Sequence, residues 1–293
     1  MPFIYEDNMS ERVIYHIEDR GAGYIYHWFF FMLGGLRQIP TDLNRYGPDG
    51  GGVFEQNVEK YKSHQPVNTP IFVTMQEQNS KGEAFTGYSD LHKETFNLLK
   101  DRYTYVPFNE IKDTDIVINN YGEPVHSDHR GNNFDEGVYH FLKNLFSFET
   151  DNSKHKGRRY YISRNKSHNL AGNSGVVRRH IVNEDEFSTL LESYGFEKIY
   201  LEDYSIPEKV EIFKNADTII SPNSGGLVFS LYASDDTNII EINTSNPHQI
   251  YGQYEDIADV FSFPYQRFTA EKVDNMDNMR IDIDSFKSIL ETL

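Results

Sequence analysis

The sequence predicts an α/β protein made of two parallel-sheet halves, and three observations carry that class. The 293 residues exceed the ~100–200 of one ordinary domain and can bury a sizeable core. From residue 159 onward, apolar strand patterns alternate with helical ones, the βαβα rhythm of a parallel sheet covered on both faces. In each half, an apolar strand runs through a glycine turn into an apolar helix: RVIYHI, EDRGAG and the helix from Tyr24 in the first, ADTII, SPNSGG and LVFSLY in the second.

The first half begins with a strand over Arg12–Ile17. The turn Glu18–Gly23 follows, then the helix from Tyr24, whose apolar run to Leu36 contains His27 and is too short to span a bilayer. Residues 41–68 are rich in Gly, Asn, Pro and charge and read as an irregular insertion. Pro70–Thr74 and Asp115–Asn119 are buried strands by their continuous apolar character. Helical pattern fills 89–100 and 136–148, and the polar stretch Asp151–Gly157 marks a boundary. Beyond it, strands are expected at Arg159–Ser163, Lys198–Leu201, Thr218–Ile220 and Asn238–Ile242. Helices are expected at Glu184–Tyr194 with Asn183 as cap, at Pro207–Asn215 and at Gly226–Tyr232. The tail IDIDSFKSILETL reads as a closing helix that packs back on the first half. The expected division is 1–150, 151–275 and a terminal helix at 276–293.

Composition limits what such a protein does. A net charge of −17 with no long cationic block argues against nucleic acid and anionic membranes as partners. The absence of cysteine removes disulfides, thiolate metal sites and cysteine nucleophiles. An acidic, polar N-terminus without a leader pattern reads as a soluble, cytoplasmic chain. The 14% aromatic content suits a cleft that stacks on sugar rings, and the coding bias of an AT-rich genome explains it equally.

The turn Ser221-Pro222-Asn223-Ser224-Gly225-Gly226 is the strongest candidate site. A helix start offers unpaired N–H groups and partial positive charge, and glycines let a phosphate approach the backbone. The same sequence also fits an ordinary turn whose glycines only bring helix and strand together. Arg164, directly after a strand, and Arg178 and Arg179, just before a helix start, fall on the same rim of such a sheet. Guanidinium groups there would clamp a diphosphate through paired hydrogen bonds. Glu184 and Glu186 would reach a ribose hydroxyl or serve as first-turn carboxylates favoured by the helix dipole. Tyr204 would cover a base, and His248, Tyr251 and Tyr254 lie near the cleft by topology.

The series Ser163-Arg164, Arg178 to Glu186, Tyr194-Gly195-Phe196, ADTIISPNSGGL and IIEI resembles the catalytic region of glycosyltransferase family 61 over roughly 150–270, with Tyr26-His27-Trp28 matching in the first half. The resemblance implies the GT-B fold, two Rossmann-like domains with a cleft between them, and inverting transfer from a nucleotide sugar to a glycan or glycoprotein acceptor. By resemblance the nucleotide is UDP, with xylose the first guess and N-acetylglucosamine the next. One departure is Asn223, where the family's turn usually carries His; Asn donates hydrogen bonds but carries no positive charge.

Inverting transfer needs a base for the acceptor hydroxyl and a cationic environment for the departing diphosphate. Asp19 is the first choice for the base and His27 the second. No metal is expected to be required: Asp113-Thr114-Asp115 and Asp282-Ile283-Asp284 match the Asp-x-Asp string of metal-dependent enzymes, but one precedes a buried strand and the other caps a helix. His126-Ser127-Asp128-His129 fits an acceptor-side loop better than a zinc site. Two rivals remain: a nucleotide-sugar epimerase on the same double fold, and a catalytically inactive glycan- or nucleotide-binding module.

Overall fold

The structure, a computed structural model, describes residues 13–18, 28–34, 36, 71–75, 89–107, 110–113, 115–121, 136–146, 154–166, 178–245 and 252–293. The expectations for Asp19, His27, His126, Asp128, His129, His248 and Tyr251 concern residues outside these. In the first half, β1 (Val13–Glu18) precedes one π-helical turn, Trp28–Leu33. There follow β2 (Ile71–Met75), α1 (Ser89–Leu98), β3 (Tyr103–Tyr105), β4 (Ile116–Tyr121) and α2 (Glu136–Leu145). The strands form one wholly parallel sheet in the order β3-β2-β1-β4.

The second half runs β5 (Arg159–Ile162), α3 (Glu184–Ser193), β6 (Phe196–Ile199), α4 (Ile206–Asn215) and β7 (Thr218–Pro222). A 3-10 helix (Gly225–Tyr232), β8 (Asn238–Thr244), α5 (Gln253–Phe261), β9 (Tyr265–Lys272), β10 (Met279–Arg280) and α6 (Ile283–Leu290) complete it. The sheet order is β10-β9-β8-β7-β5-β6, parallel except for β10. Two open sheets of this kind are the two Rossmann-like units of a GT-B-type α/β fold. In the second, the chain moves outward from β5 to β6 and then returns to β7 on the other side. The carboxyl ends of β5 and β7 therefore flank a switch point, the place where doubly wound sheets open a ligand crevice.

Several expectations shift. The strand expected at 198–201 lies two residues earlier, because Gly195 takes a φ of 80° that turns the chain out of α3 straight into β6. The helix after the glycine turn is 3-10 rather than α. Among the described residues the tail helix packs on the second half: Phe286 and Leu290 of α6 join Ile181, Phe187 and Leu191 in the core around α3, and the Phe187 and Phe286 rings meet edge-on at 4.8 Å. Asn183 occupies the cap position of α3 without a side-chain cap bond. Its amide pairs instead with the backbone of Ile281, accepting from its N–H and donating to its carbonyl, each at 3.0 Å.

The main core is a single apolar cluster drawing on both sheets. Phe29 of the π-helical turn meets Phe229 of the 3-10 helix at 5.1 Å and Phe146 at 5.7 Å. The Tyr232 hydroxyl donates to the Leu142 carbonyl on α2 at 2.8 Å. Glu94 on α1 accepts from the Ile206 backbone N–H at the start of α4 at 2.6 Å, the kind of carboxylate that a helix N-terminus attracts. Among the described residues, no helix is long and apolar enough to cross a membrane.

Candidate functional site

β7 is buried at every position, so its continuous apolar run is that of a central parallel strand. At its carboxyl end the chain turns through Asn223 and Ser224 into the 3-10 helix. Gly226 allows a close approach there: a Cβ would come within 2.7 Å of a terminal methyl of the Leu201 side chain, which would have to move aside. The Ser224 carbonyl accepts from the Tyr254 hydroxyl at 2.6 Å, which pins the turn to α5.

Two arginines from separate segments converge on this turn. Arg164, two residues beyond β5, donates from Nη1 to the Asn223 carbonyl at 2.6 Å. Arg179 donates from Nη1 to the same carbonyl at 3.4 Å and to Asn223 Oδ1 at 2.9 Å. Arg179 has a left-handed backbone, φ 58°, a conformation that costs a non-glycine residue roughly 1–2 kcal/mol. Its N–H is held by the Met276 carbonyl at 3.2 Å. Burial pulls the Arg179 guanidinium below its ordinary pKa, with Arg178 beside it adding to the effect. Neither Arg178 nor Arg179 forms an ion pair with a described carboxylate, although the chain is strongly acidic. Arg178 itself is exposed.

Beneath the arginines lie two buried acids. Glu184, at the first position of α3, accepts from the Tyr161 hydroxyl at 2.8 Å and from Ser163 Oγ at 2.5 Å. It also pairs with Lys198 Nζ at 2.7 Å, so both of its oxygens are engaged inside the fold. Glu241 lies in the middle of β8 with no exposure. Asn223 Nδ2 donates to its Oε1 and the Tyr265 hydroxyl to its Oε2, and Arg267 Nε stands 3.8 Å from Oε2.

The remaining candidates scatter. Ser221 is wholly buried, its hydroxyl donating to the Pro222 carbonyl at 2.9 Å, which leaves it nothing to offer a donor. Tyr254, expected at the cleft, is buried to 1% and fixes the turn. Glu186 is exposed and accepts from Asn183 Nδ2 at 3.3 Å. Tyr204 is half-buried against the main core. The two Asp-x-Asp strings are local caps: Asp115 Oδ2 accepts from the Lys112 N–H at 2.7 Å, and Asp282 Oδ1 from the Ser285 N–H at 2.8 Å. Among the described residues, no group of three His, Asp or Glu is placed to hold a metal. Sequence reasoning passed over Glu241, Tyr265 and Arg267. The available signal was a charged residue inside the apolar run IIEI, since an acid within a central strand is buried and must be partnered.

A family model described as Glycosyltransferase 61 matches residues 25–240. Among curated proteins, no sequence matches significantly. Among solved structures, the chain is similar to the bacterial iron-containing dodecameric glycosyltransferase TibC from enterotoxigenic E. coli, with a TM-score of 0.41 and 10% identity over 83% of this chain and 61% of that one. It is also similar to dodecameric iron-containing heptosyltransferase TibC in complex with ADP-D-beta-D-heptose, with a TM-score of 0.38 and 11% identity over the same shares, 83% and 61%. The chain thus spans 61% of the length of these structural neighbours.

Proposed function

Because the chain belongs to glycosyltransferase family 61, we propose that it transfers a sugar from a UDP-sugar to a hydroxyl of a glycan or glycoprotein acceptor, with inversion and without a metal. One observation carries this reading: Arg164 and Arg179, reaching in from different segments, converge on the Asn223 carbonyl at the switch point, and Arg179 forms no ion pair among the described residues. A half-buried guanidinium that is hydrogen-bonded to an uncharged amide and carbonyl, with Glu241 and Asp277 acting on it only from beyond ion-pair distance, suits an anionic ligand. The backbone strain at Arg179 accords with that role, since such outliers persist where the surroundings and the function over-determine them.

In the reaction, the acceptor oxygen attacks the anomeric carbon from the face opposite the diphosphate. The bond from that carbon to the diphosphate oxygen breaks, and the acceptor proton passes to a base, for which Asp19 is the first candidate and His27 the second. The UDP that leaves carries the negative charge that Arg164, Arg179 and the N–H groups at the helix start neutralise. Xylose is the first choice of sugar and N-acetylglucosamine the second; both rest on the resemblance to the family.

A thermal-shift screen with UDP, GDP, CMP, dTDP and UDP-sugars tests the reading, because a ligand that binds only the folded state raises its apparent stability. A UDP-specific shift that varies with the sugar supports it, and no shift with any nucleotide overturns it. Asp19→Asn is expected to spare UDP binding and lower turnover. Loss of activity with chelator and recovery with Mn²⁺ would remove metal independence. The binding-module alternative draws on Asn223, whose amide is engaged at both ends by Arg179 and Glu241 and supplies no charge to the chemistry. Tight UDP-sugar binding without turnover would favour it.

A further inference from the structure

The Asn223 carboxamide joins the arginine pair to the interior. Its Nδ2 donates to Glu241 Oε1, so its Oδ1 faces the other way and accepts from Arg179 at 2.9 Å. An ionised carboxylate only accepts hydrogen bonds. While Glu241 is ionised, Asn223 must turn its NH2 inward and its oxygen toward Arg179. A neutral partner that donates to Asn223 would reverse the amide and set NH2 against guanidinium, two donors face to face.

Every element around Glu241 bears on that choice. From β9, the Tyr265 hydroxyl and Arg267 both favour a bare oxygen at Oε2. Arg267 is shared with Glu255, in the first turn of α5, at 3.3 Å. From the segment before α3, Arg179 lies close enough to interact with Glu241 through its charge. From β8 itself, Asn243 stands beside the carboxylate, fully buried, with neither end of its amide in full hydrogen-bond geometry.

We propose that Glu241 is a positioning residue which, through the Asn223 carboxamide, holds the Arg179 guanidinium in the orientation that receives the diphosphate of the donor. The proposal rests on the nucleotide-sugar reading above for the identity of the ligand, and on the hydrogen-bond directions alone for the positioning. Burial pushes the Glu241 carboxyl up, against the downward pull of Asn223, Tyr265 and Arg267, so the acid is kept in a place that disfavours its working form.

Glu241→Gln is the informative substitution. Beside Tyr265 and Arg267 the new amide turns its oxygen to them and its NH2 to Asn223, which reverses Asn223. UDP affinity, measured by calorimetry at neutral pH, is expected to fall about tenfold, equivalent to ~1.4 kcal/mol. In an Arg179→Ala background the same change is expected to cost less than about twofold, since contacts acting through one residue are not additive. Wild-type affinity should also weaken as pH falls through the raised Glu241 pKa, by more than it does in Glu241→Gln. Additive losses, or identical pH profiles, overturn the proposal.

A nucleotide-free measurement separates this proposal from the donor reading. In ¹⁵N spectra the Arg179 side-chain Nε–H signal, assigned by its loss in Arg179→Lys, should move in Glu241→Gln. If the wild type binds no nucleotide, the donor reading fails and this signal alone decides: displacement supports the positioning role and an unchanged signal overturns it. If Glu241→Gln does not fold, Asn223→Ala takes its place. That variant must move the Arg179 signal and abolish the part of the wild-type pH dependence that Glu241 supplies, and failure on either count overturns the proposal.

Discussion

Glu184 and Glu241 are the same residue type, both buried, one bonded to Ser163 beside Arg164 and the other to Asn223, which Arg179 contacts, yet they are held differently. Glu184 has a lysine at 2.7 Å and two hydroxyl donors, and the positive end of α3 favours it further. It ties β5, α3 and β6 together and sets Ser163, the residue before Arg164. Glu241 has its nearest cation at 3.8 Å, and that cation is shared with Glu255. A fully matched acid stabilises the fold, whereas an incompletely matched one stays sensitive to its surroundings and can govern a neighbour.

The sharpest way to break this contrast is Lys198→Ala, which strands Glu184. We expect a loss of about 2–3 kcal/mol in denaturant unfolding, below the ~3–5 of a fully buried pair because the Lys198 side chain is 25% exposed. A loss under about 1 kcal/mol would make Glu184 no more structural than Glu241. Next come the arginines: Arg179→Ala and Arg164→Ala should each weaken UDP binding by about 1.5–3 kcal/mol, the range for a charged hydrogen bond. Arg178→Ala should do less, because Arg178 is exposed and makes no bond to the turn. Equal effects at all three would replace the clamp by a diffuse basic patch.

Tyr265→Phe removes one donor from Glu241 and is expected to cost about 1 kcal/mol in stability at neutral pH, with a further rise in the Glu241 pKa visible by carboxyl NMR. The smallest effect is on the pH dependence of folding. Because the folded pKa of Glu241 is raised, its contribution to stability is fully present below the unfolded-state value and is lost as pH rises through the folded one. Unfolding curves across that window should fall more for the wild type than for Glu241→Gln, and parallel curves would mean that Glu241 titrates as an ordinary acid.

Much of the architecture was legible because central parallel strands are continuous apolar runs. The turn was legible because its glycines sit between such a run and a helix. The strands β3 and β10 are too short, at three and two residues, to leave a pattern. β9 reads YQRFTAEK, mostly half-buried or exposed, without the apolar continuity that betrayed β7. The site was half legible for the same reason. Arg164 and Arg179 announce themselves by charge at strand and helix ends, and the three arginines were named together. Which of them bonds to the turn depends on the left-handed backbone at Arg179, which no side-chain pattern encodes. The chain of hydrogen bonds from Asn223 through Glu241 to Tyr265 joins the turn after β7 to β8 and β9, and contacts of that range are set by register.

The edge-on meeting of Phe29 with Phe229, together with the Tyr232 hydroxyl on α2 and the Glu94 carboxylate on α4, means that neither half finishes its own interior. A fragment cut between the sheets would present a face of bare aromatic rings to water and would be expected to clump rather than to fold into a small nucleotide binder. The helix that opens behind the glycine turn is thus seated in part by Phe29 and Leu142, both from the first half, so the turn takes its packed form only when the two halves have come together.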